Sequence, residues 1–376
     1  MSGIYLHIPF CKQACHYCNF HFSTNLKRKE ELIKSLCTEL IIRKRELNQP
    51  LQTIYFGGGT PSLLSEQELK QIFKTIHKHY IVVEDAEITL EANPDDLSSN
   101  LIVQLHDSQI NRLSIGVQSF FAEDLLLMNR AHSAKEALEC IQLAKKYFKN
   151  ISIDLIYGIP GLTIDRWKEN LEITLSLDIP HISCYALTVE PKTALKKFIE
   201  QGKVAPVNDE ETRSHYELMI DTLENAGYIN YEFSNFGKPG YFSQNNTGYW
   251  QGKPYLGIGP SAHSFDGNKR SWNISNNIKY IKSINEGNIP LAFEVLSVTD
   301  KYNEYIMTGL RTMWGVSLVK VENDFGKRYK DYLLEQVEKH IENKLLYFED
   351  DTLKITKKGK FLGDGIASDL FLVNLS

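Results

Sequence analysis

Three cysteines fall within eight residues near the start of the chain, as Cys11-x-x-x-Cys15-x-x-Cys18. Thiolates bind zinc and iron–sulfur clusters, and a site wanting four ligands receives three of them here. A cluster held this way keeps one iron free for a group from outside. The competing reading is a zinc knuckle closed by His16 or His21. Zinc sites are mostly built from paired hooks in two arms, whereas this stretch supplies one arm, so the cluster is favoured. Cys37 and Cys140, beside apolar positions of helical segments, and Cys184, in a strand, read as packing residues.

Other residues could complete such a site. Gly57-Gly58-Gly59-Thr60-Pro61 would let backbone N–H groups approach a ligand closely, or serve as a plain strand-to-helix turn. Glu91 and Arg130 are opposite charges at or after strand ends. They suit the ammonium and carboxylate of one amino acid, or a structural ion pair. Gln118 and Asp154 can accept sugar hydroxyls, and Asp154 equally reads as a buried structural carboxylate. Tyr5 and Tyr17 can pack on a cluster or on a flat ring, or fill a core.

The elements that must hold these residues repeat as short β-branched run, turn and amphipathic helix. Predicted strands are Ile4–Phe10, Thr53–Phe56, Glu87–Glu91, Arg112–Val117, Ile151–Tyr157 and His181–Leu187. Between them, capping boxes at Ser65/Glu68 and Ser133/Glu136 open helices with one apolar stripe. Six β-then-α units imply parallel strands with right-handed crossovers. The polar and Gly-rich insertions collect at carboxyl ends of several strands, which favours a partial (β/α)6 barrel over a doubly wound sheet. Residues 1–235 are assigned to this barrel, with Asn230–Phe236 as an added edge strand. Residues 236–273 read as a Gly-, Asn- and aromatic-rich connector with no helical period. Residues 274–376 read as a mostly α, winged-helix-like module: helices Asn276–Asn285, Lys301–Met313, Leu318–Phe325 and Tyr329–Lys344, then a hairpin of Leu345–Phe348 and Thr352–Ile355.

Composition narrows the class. At 376 residues, with 42% hydrophobic and 24% charged, the chain is an ordinary globular one. A net charge of −5 and an acidic wing at Asp350-Asp351 argue against nucleic acid. No run reaches the roughly 18 apolar residues of a membrane span. Clustered thiols with no room for a leader ahead of them imply a reducing cytoplasm.

The cysteine spacing after a first strand, with Tyr17 before the third Cys, resembles the radical S-adenosylmethionine (SAM) superfamily. The resemblance implies a [4Fe–4S] cluster on Cys11, Cys15 and Cys18, with SAM chelating the open iron; one-electron reduction would cleave its C–S bond to a 5′-deoxyadenosyl radical. Within that superfamily, His7-Ile-Pro-Phe-Cys11, Gly57-Gly-Gly-Thr-Pro-Ser62, Glu91-Ala-Asn-Pro-Asp95, Asn111–Phe120, Asp154–Gly161 and Gly257–His263 resemble the oxygen-independent coproporphyrinogen III oxidase family. By that similarity Tyr5, Tyr17, Gly58, Gly59, Thr60, Glu91, Gln118, Arg130 and Asp154 match cofactor-contacting positions. The genuine oxidases carry a fourth Cys two residues past the third, where this chain has Phe20. Phe20 and the run Asn246-x-x-Tyr249-Trp250 resemble the heme chaperone subgroup, the HemW type. What this implies is a chain that binds heme and passes it to an acceptor protein, with a flavodoxin- or ferredoxin-like electron donor. SAM cleavage stays compatible with it, and coproporphyrinogen oxidation is the alternative. Asn246, Tyr249 and Trp250 become the candidate heme contacts. The subgroup's His before that run is Asn245 here, and an amide is a poor iron ligand. His7, His132 and His263 could substitute, or each could be a satisfied polar residue at a strand end.

Overall fold

A computed structural model describes residues 2–373. Strands β1 (Ser2–Ile8), β2 (Leu51–Gly58), β3 (Val82–Ala92), β4 (Arg112–Gln118), β5 (Asn150–Tyr157) and β6 (His181–Ala186) lie side by side in chain order, each parallel to the next. The order never reverses, so there is no switch point. All six carboxyl ends reach one rim, as in a barrel. The helices between them follow the predicted stripes. Ser65 and Ser133 cap theirs, with Glu68 and Glu136 closing the two boxes. Leu69, Ile72, Phe73 and Ile76 are buried on one face, and Ala137, Ile141 and Ala144 on another. The main apolar core therefore lies between sheet and helices, and Cys37, Cys140 and Cys184 are packed within it.

The sheet does not stop at six strands. Beyond β6 comes a hairpin of β7 (Ile229–Glu232) and β8 (Asn235–Gly237), with β8 antiparallel to β6. The single edge strand predicted over Asn230–Phe236 is thus two. Glu232 makes the reversal, its carboxylate accepting from the Ser234 N–H and the Asn235 amide. On the other flank β9 (Tyr255–Ile258) adds parallel to β1, and β10 (His263–Phe265), β11 (Lys269–Asn273) and β12 (Leu291–Val295) continue antiparallel. Residues 236–273, predicted to lack helical period, also hold the helix Gln244–Trp250. It is one short turn-pair with no amphipathic stripe. Glu87 of β3 anchors it, accepting from the backbone N–H of Gln244 and of Asn245.

A second core gathers helices Val298–Leu310, Leu318–Phe325 and Lys327–Glu342 around a small sheet of β13 (Val316–Ser317), β14 (Leu346–Glu349) and β15 (Thr352–Ile355). This C-terminal module grips both flanks of the open sheet. On the β11 side Arg270 bonds Glu304 at 2.5 Å. On the β7 side the Phe233 N–H donates to Arg311 O and the Met313 N–H to Tyr231 O.

One buried carboxylate ties the added strands to the barrel. Glu39, on the helix Lys29–Ile42, pairs with Arg43 at 3.1 Å and accepts from the Gly259 N–H, the Asn273 amide and the Tyr280 hydroxyl. Removing one partner of a buried ion pair strands the other, at about 3–5 kcal/mol. Glu39→Ala should therefore lower the stability from urea unfolding by about that much; an unchanged midpoint would show that the cluster carries no stability.

Candidate functional site

At the carboxyl rim of β1–β6 opens a cavity of about 470 Å3. Its wall includes Cys11, Cys15, Cys18 and Tyr17 from the loop after β1, Gly58, Gly59 and Thr60 after β2, and Glu91, Gln118 and Asp154 from β3, β4 and β5, with Arg130. Residues spread over some 140 positions of sequence are therefore brought to one space, because every strand delivers its end to the same rim. Tyr5 is not on this wall: its ring stacks on Tyr55 at 6.0 Å and its hydroxyl lies 3.3 Å from His7 Nδ1.

The cysteine loop is latched by hydrogen bonds to neighbouring segments. The Cys11 N–H donates to Ser23 O, the His16 N–H to Met128 O, and the Asn129 amide to Ala14 O. Arg130 Nη1 donates to Cys15 Sγ at 3.4 Å. Burial pushes the Cys11 thiol up to about 11 and also raises Cys18. Both histidines of the zinc alternative are committed elsewhere. His16 Nδ1 bonds Leu127 O at 2.8 Å, and His21 Nε2 bonds Asn277 Oδ1 at 2.7 Å. Among the described residues, no three His, Cys, Asp or Glu side chains gather as ligands of a single ion. Three thiols with a cation alongside, at a cavity wall, suit a polynuclear anionic group.

Opposite the thiols the cavity is acidic. Glu91 accepts from the Tyr55 hydroxyl at 2.8 Å and the Gly58 N–H at 3.2 Å; burial pushes it up to about 7, with the neighbouring Asp154 adding to the rise. Burial likewise pushes Asp154 up to about 6, against hydrogen bonds from Ser183 and Ser114. The structural ion pair that Glu91 and Arg130 could have made is not formed. Arg130 Nη2 donates instead to Asn93 Oδ1 and Gly116 O, and its buried Nε has no hydrogen-bond partner. Two under-neutralised carboxylates and one under-used guanidinium, facing one space, fit a ligand carrying an ammonium, a second positive charge and a carboxylate.

The glycine turn acts differently from the expectation that it offers N–H donors. Gly58 already donates to Glu91, and Gly59 to Ile8 O. These residues are glycine because of close packing: Gly58 has φ +111° and a Cβ there would lie 2.6 Å from the His7 ring. A Cβ at Gly59 would meet Phe10 O at 2.7 Å. Gln118 holds a left-handed φ of +68°, beside a register shift in the β4–β5 pairing. Its amide is aimed at the cavity at the cost of local strain.

Several wall residues went unread in the sequence: Tyr55, Asn93, Arg112, Ser114, Ser183 and Tyr185. A signal existed. Arg112, Ser114 and Gly116, and likewise His181, Ser183 and Tyr185, repeat every second residue along runs otherwise apolar, which marks one polar strand face.

The residues associated with heme divide. Asn245 is 5% exposed, its Oδ1 accepting from Thr53 Oγ1, so this position faces into the protein. Asn246 lines the thiol cavity, whereas Tyr249 and Trp250 line a separate cleft against the C-terminal module. Among the described residues, neither cavity wall contains a histidine. His7 and His132 are buried and bonded to the backbone oxygens of His21 and Val117, and His263 is exposed, stacked on Trp272.

Comparison with known proteins agrees with this architecture. The family model of the Radical SAM superfamily matches residues 5–173, and that of the HemN C-terminal domain matches residues 296–362. The chain is 35% identical to the heme chaperone HemW of Bacillus subtilis, over 97% of this chain and 98% of that protein. It is 31% identical to the heme chaperone HemW of Mycobacterium tuberculosis, over 98% and 94% respectively. Among solved structures, coproporphyrinogen III oxidase (HemN) from Escherichia coli superposes with a TM-score of 0.86 at 22% identity, covering 98% of this chain and 90% of that one. At that identity the last likeness speaks for the fold. With a shared fold and full-length identity above 30%, the chain belongs to the HemW family of radical SAM proteins.

Proposed function

We propose that the chain binds heme and hands it to an acceptor protein, and that a [4Fe–4S] cluster and SAM occupy the rim cavity. The observation that carries the first half is the full-length identity to proteins named heme chaperones. The second half is supported by the donor set. Cys11, Cys15 and Cys18 would hold the cluster, and Arg130 would lie beside it. Glu91 and Asp154 would face the positive charges of SAM, Arg130 Nε its carboxylate, and Gln118 and Thr60 its hydroxyl and edge atoms. When bound, the cluster supplies one-electron chemistry and SAM a cleavable carbon–sulfur bond. The residues around them orient, exclude water and balance charge. Tyr17 closes one side of the wall, and burial keeps its phenol neutral. An electron donor of flavodoxin or ferredoxin type and a cytoplasmic setting belong to the same reading. Among the described residues, no helix is long and apolar enough to cross a membrane.

The decisive experiment is anaerobic. Purified, cluster-reconstituted protein should take up heme at about one per chain and leave coproporphyrinogen III unchanged in the presence of SAM and reductant. Conversion to protoporphyrinogen would reverse the order of the two readings. Cys15→Ala should remove the cluster absorbance and the bound iron together, and an undiminished iron count would sink the ligand assignment. A pH effect follows from Glu91, whose carboxylate is ionised above about 7 and neutral below it. The ionised form attracts the cation, so SAM affinity should fall about tenfold between pH 8 and pH 6. Equilibrium dialysis over that range tests this, and a flat profile would remove Glu91 from the SAM contacts.

A further inference from the structure

The second cleft, of about 940 Å3, lies between the sheet's β9–β12 flank and the C-terminal module. Sites that bury a drug-sized ligand run from roughly 300 to 1,000 Å3, so there is room here for a macrocycle. Tyr249, Trp250 and Phe265 wall it on the sheet side, and Tyr305 and Phe325 on the module side. Two aromatic walls from different parts of the fold make a slot for a flat apolar group.

Charge in the slot is nearly spent. Arg270 is bonded to Glu294 at 3.4 Å and Glu304 at 2.5 Å, Lys320 pairs with Asp324, and Asp300 is used in capping its own helix at Ser297. Lys301 differs: its Nζ donates to the neutral Asn268 Oδ1 at 2.6 Å. It is left with a full positive charge toward the cleft. For iron, proteins offer imidazole, thiolate, thioether or phenolate. Among the described residues, no histidine or cysteine lines this cleft. Burial raises the phenols of Tyr249, Tyr255 and Tyr305, and the Tyr305 oxygen already accepts from the Ser317 N–H at 2.9 Å. A thioether needs no deprotonation, and Met307 provides one on the wall.

We propose that this cleft is the heme site, with the Met307 sulfur as the protein's ligand to iron and Lys301 as partner to a propionate carboxylate. The assignment rests on the heme-carrying reading above and adds a place and two contacts to it. The module helix Val298–Leu310 carries both residues, and Tyr249, Trp250 and Phe265 face them from the sheet side, so heme would touch the sheet and the module together.

The test titrates hemin and metal-free protoporphyrin IX separately into full-length, cluster-loaded protein, so that free thiols do not capture iron. Soret absorbance and tryptophan quenching report binding. Met307→Leu conserves volume. It should weaken hemin at least about tenfold and shift the Soret band, while protoporphyrin IX stays within about threefold. Lys301→Gln, at a half-buried site, should weaken both ligands about three- to tenfold. Wild-type hemin affinity and an unchanged Soret band in Met307→Leu would overturn the iron ligand. Unaltered binding of both porphyrins in Lys301→Gln as well would move heme out of the cleft while leaving the chaperone reading intact. If the wild-type protein takes up no hemin, the reading and the site fall together.

Discussion

Within the curve of the parallel strands, reaching the cavity wall through Arg112, a buried ionic cluster sets what the rest can do. Arg112, at the start of β4 and 2% exposed, lies 3.9 Å from Glu87 of β3 and 3.4 Å from His181 Nδ1 of β6. Burial and the adjacent guanidinium hold His181 well below the usual imidazole range, so it is neutral. Its Nδ1 is then the acceptor, facing Arg112 and Ser152, and its Nε2–H donates to Tyr231. Burying a charge costs several kcal/mol per ion unless geometry returns it, so such a cluster tolerates few alternative registers. It has consequences in both directions. Upward, Arg112 is the cation that partly offsets Glu91 and Asp154. Downward, Glu87 receives the first amides of the Gln244–Trp250 helix, and so fixes which of its residues turn to the rim cavity and which to the cleft.

This arrangement explains what could be read from the chain and what could not. The six parallel strands were legible because their outer faces pack on helices, giving apolar runs of Ile, Leu and Val with capped helices between. The cysteines, Glu91, Gln118, Arg130 and Asp154 were legible because they follow or end such runs. The inner polar layer was harder. Arg112 and His181 sit at the first positions of their strands, where a polar residue reads as a boundary. Only the alternation with Ser114 and Ser183 reveals that they face inward. Tyr5, beside the cysteine loop in sequence, is turned by β1 onto Tyr55, which itself lines the cavity.

The connector failed for a physical reason too. A seven-residue helix containing Gln, two Asn, Thr and Gly has little intrinsic preference for helix, and exists because Glu87 and the Ser243 cap satisfy its leading amides. Strand β9 is four residues long and pairs in parallel with β1 from more than 240 positions away. Nothing local announces such a pairing. The glycines at 57–59 were recognised as special, and a Cβ would crowd Tyr5 and Tyr55 at Gly57, His7 at Gly58, and the Ile8 and Phe10 backbone at Gly59.

In a closed barrel the bore is fixed by strand number and stagger, since every edge is hydrogen-bonded to another. Here the ladder runs from β12 to β7 and its ends do not meet. The two flanks are joined instead by a buckle, the C-terminal module, fastened through Arg270 on one side and the backbone of Arg311 and Met313 on the other. A buckle can slacken by a few contacts while the inter-strand ladders stay whole. Widening the mouth for a bulky guest, and narrowing it once the guest has left, would thus require no strand to separate from its neighbour.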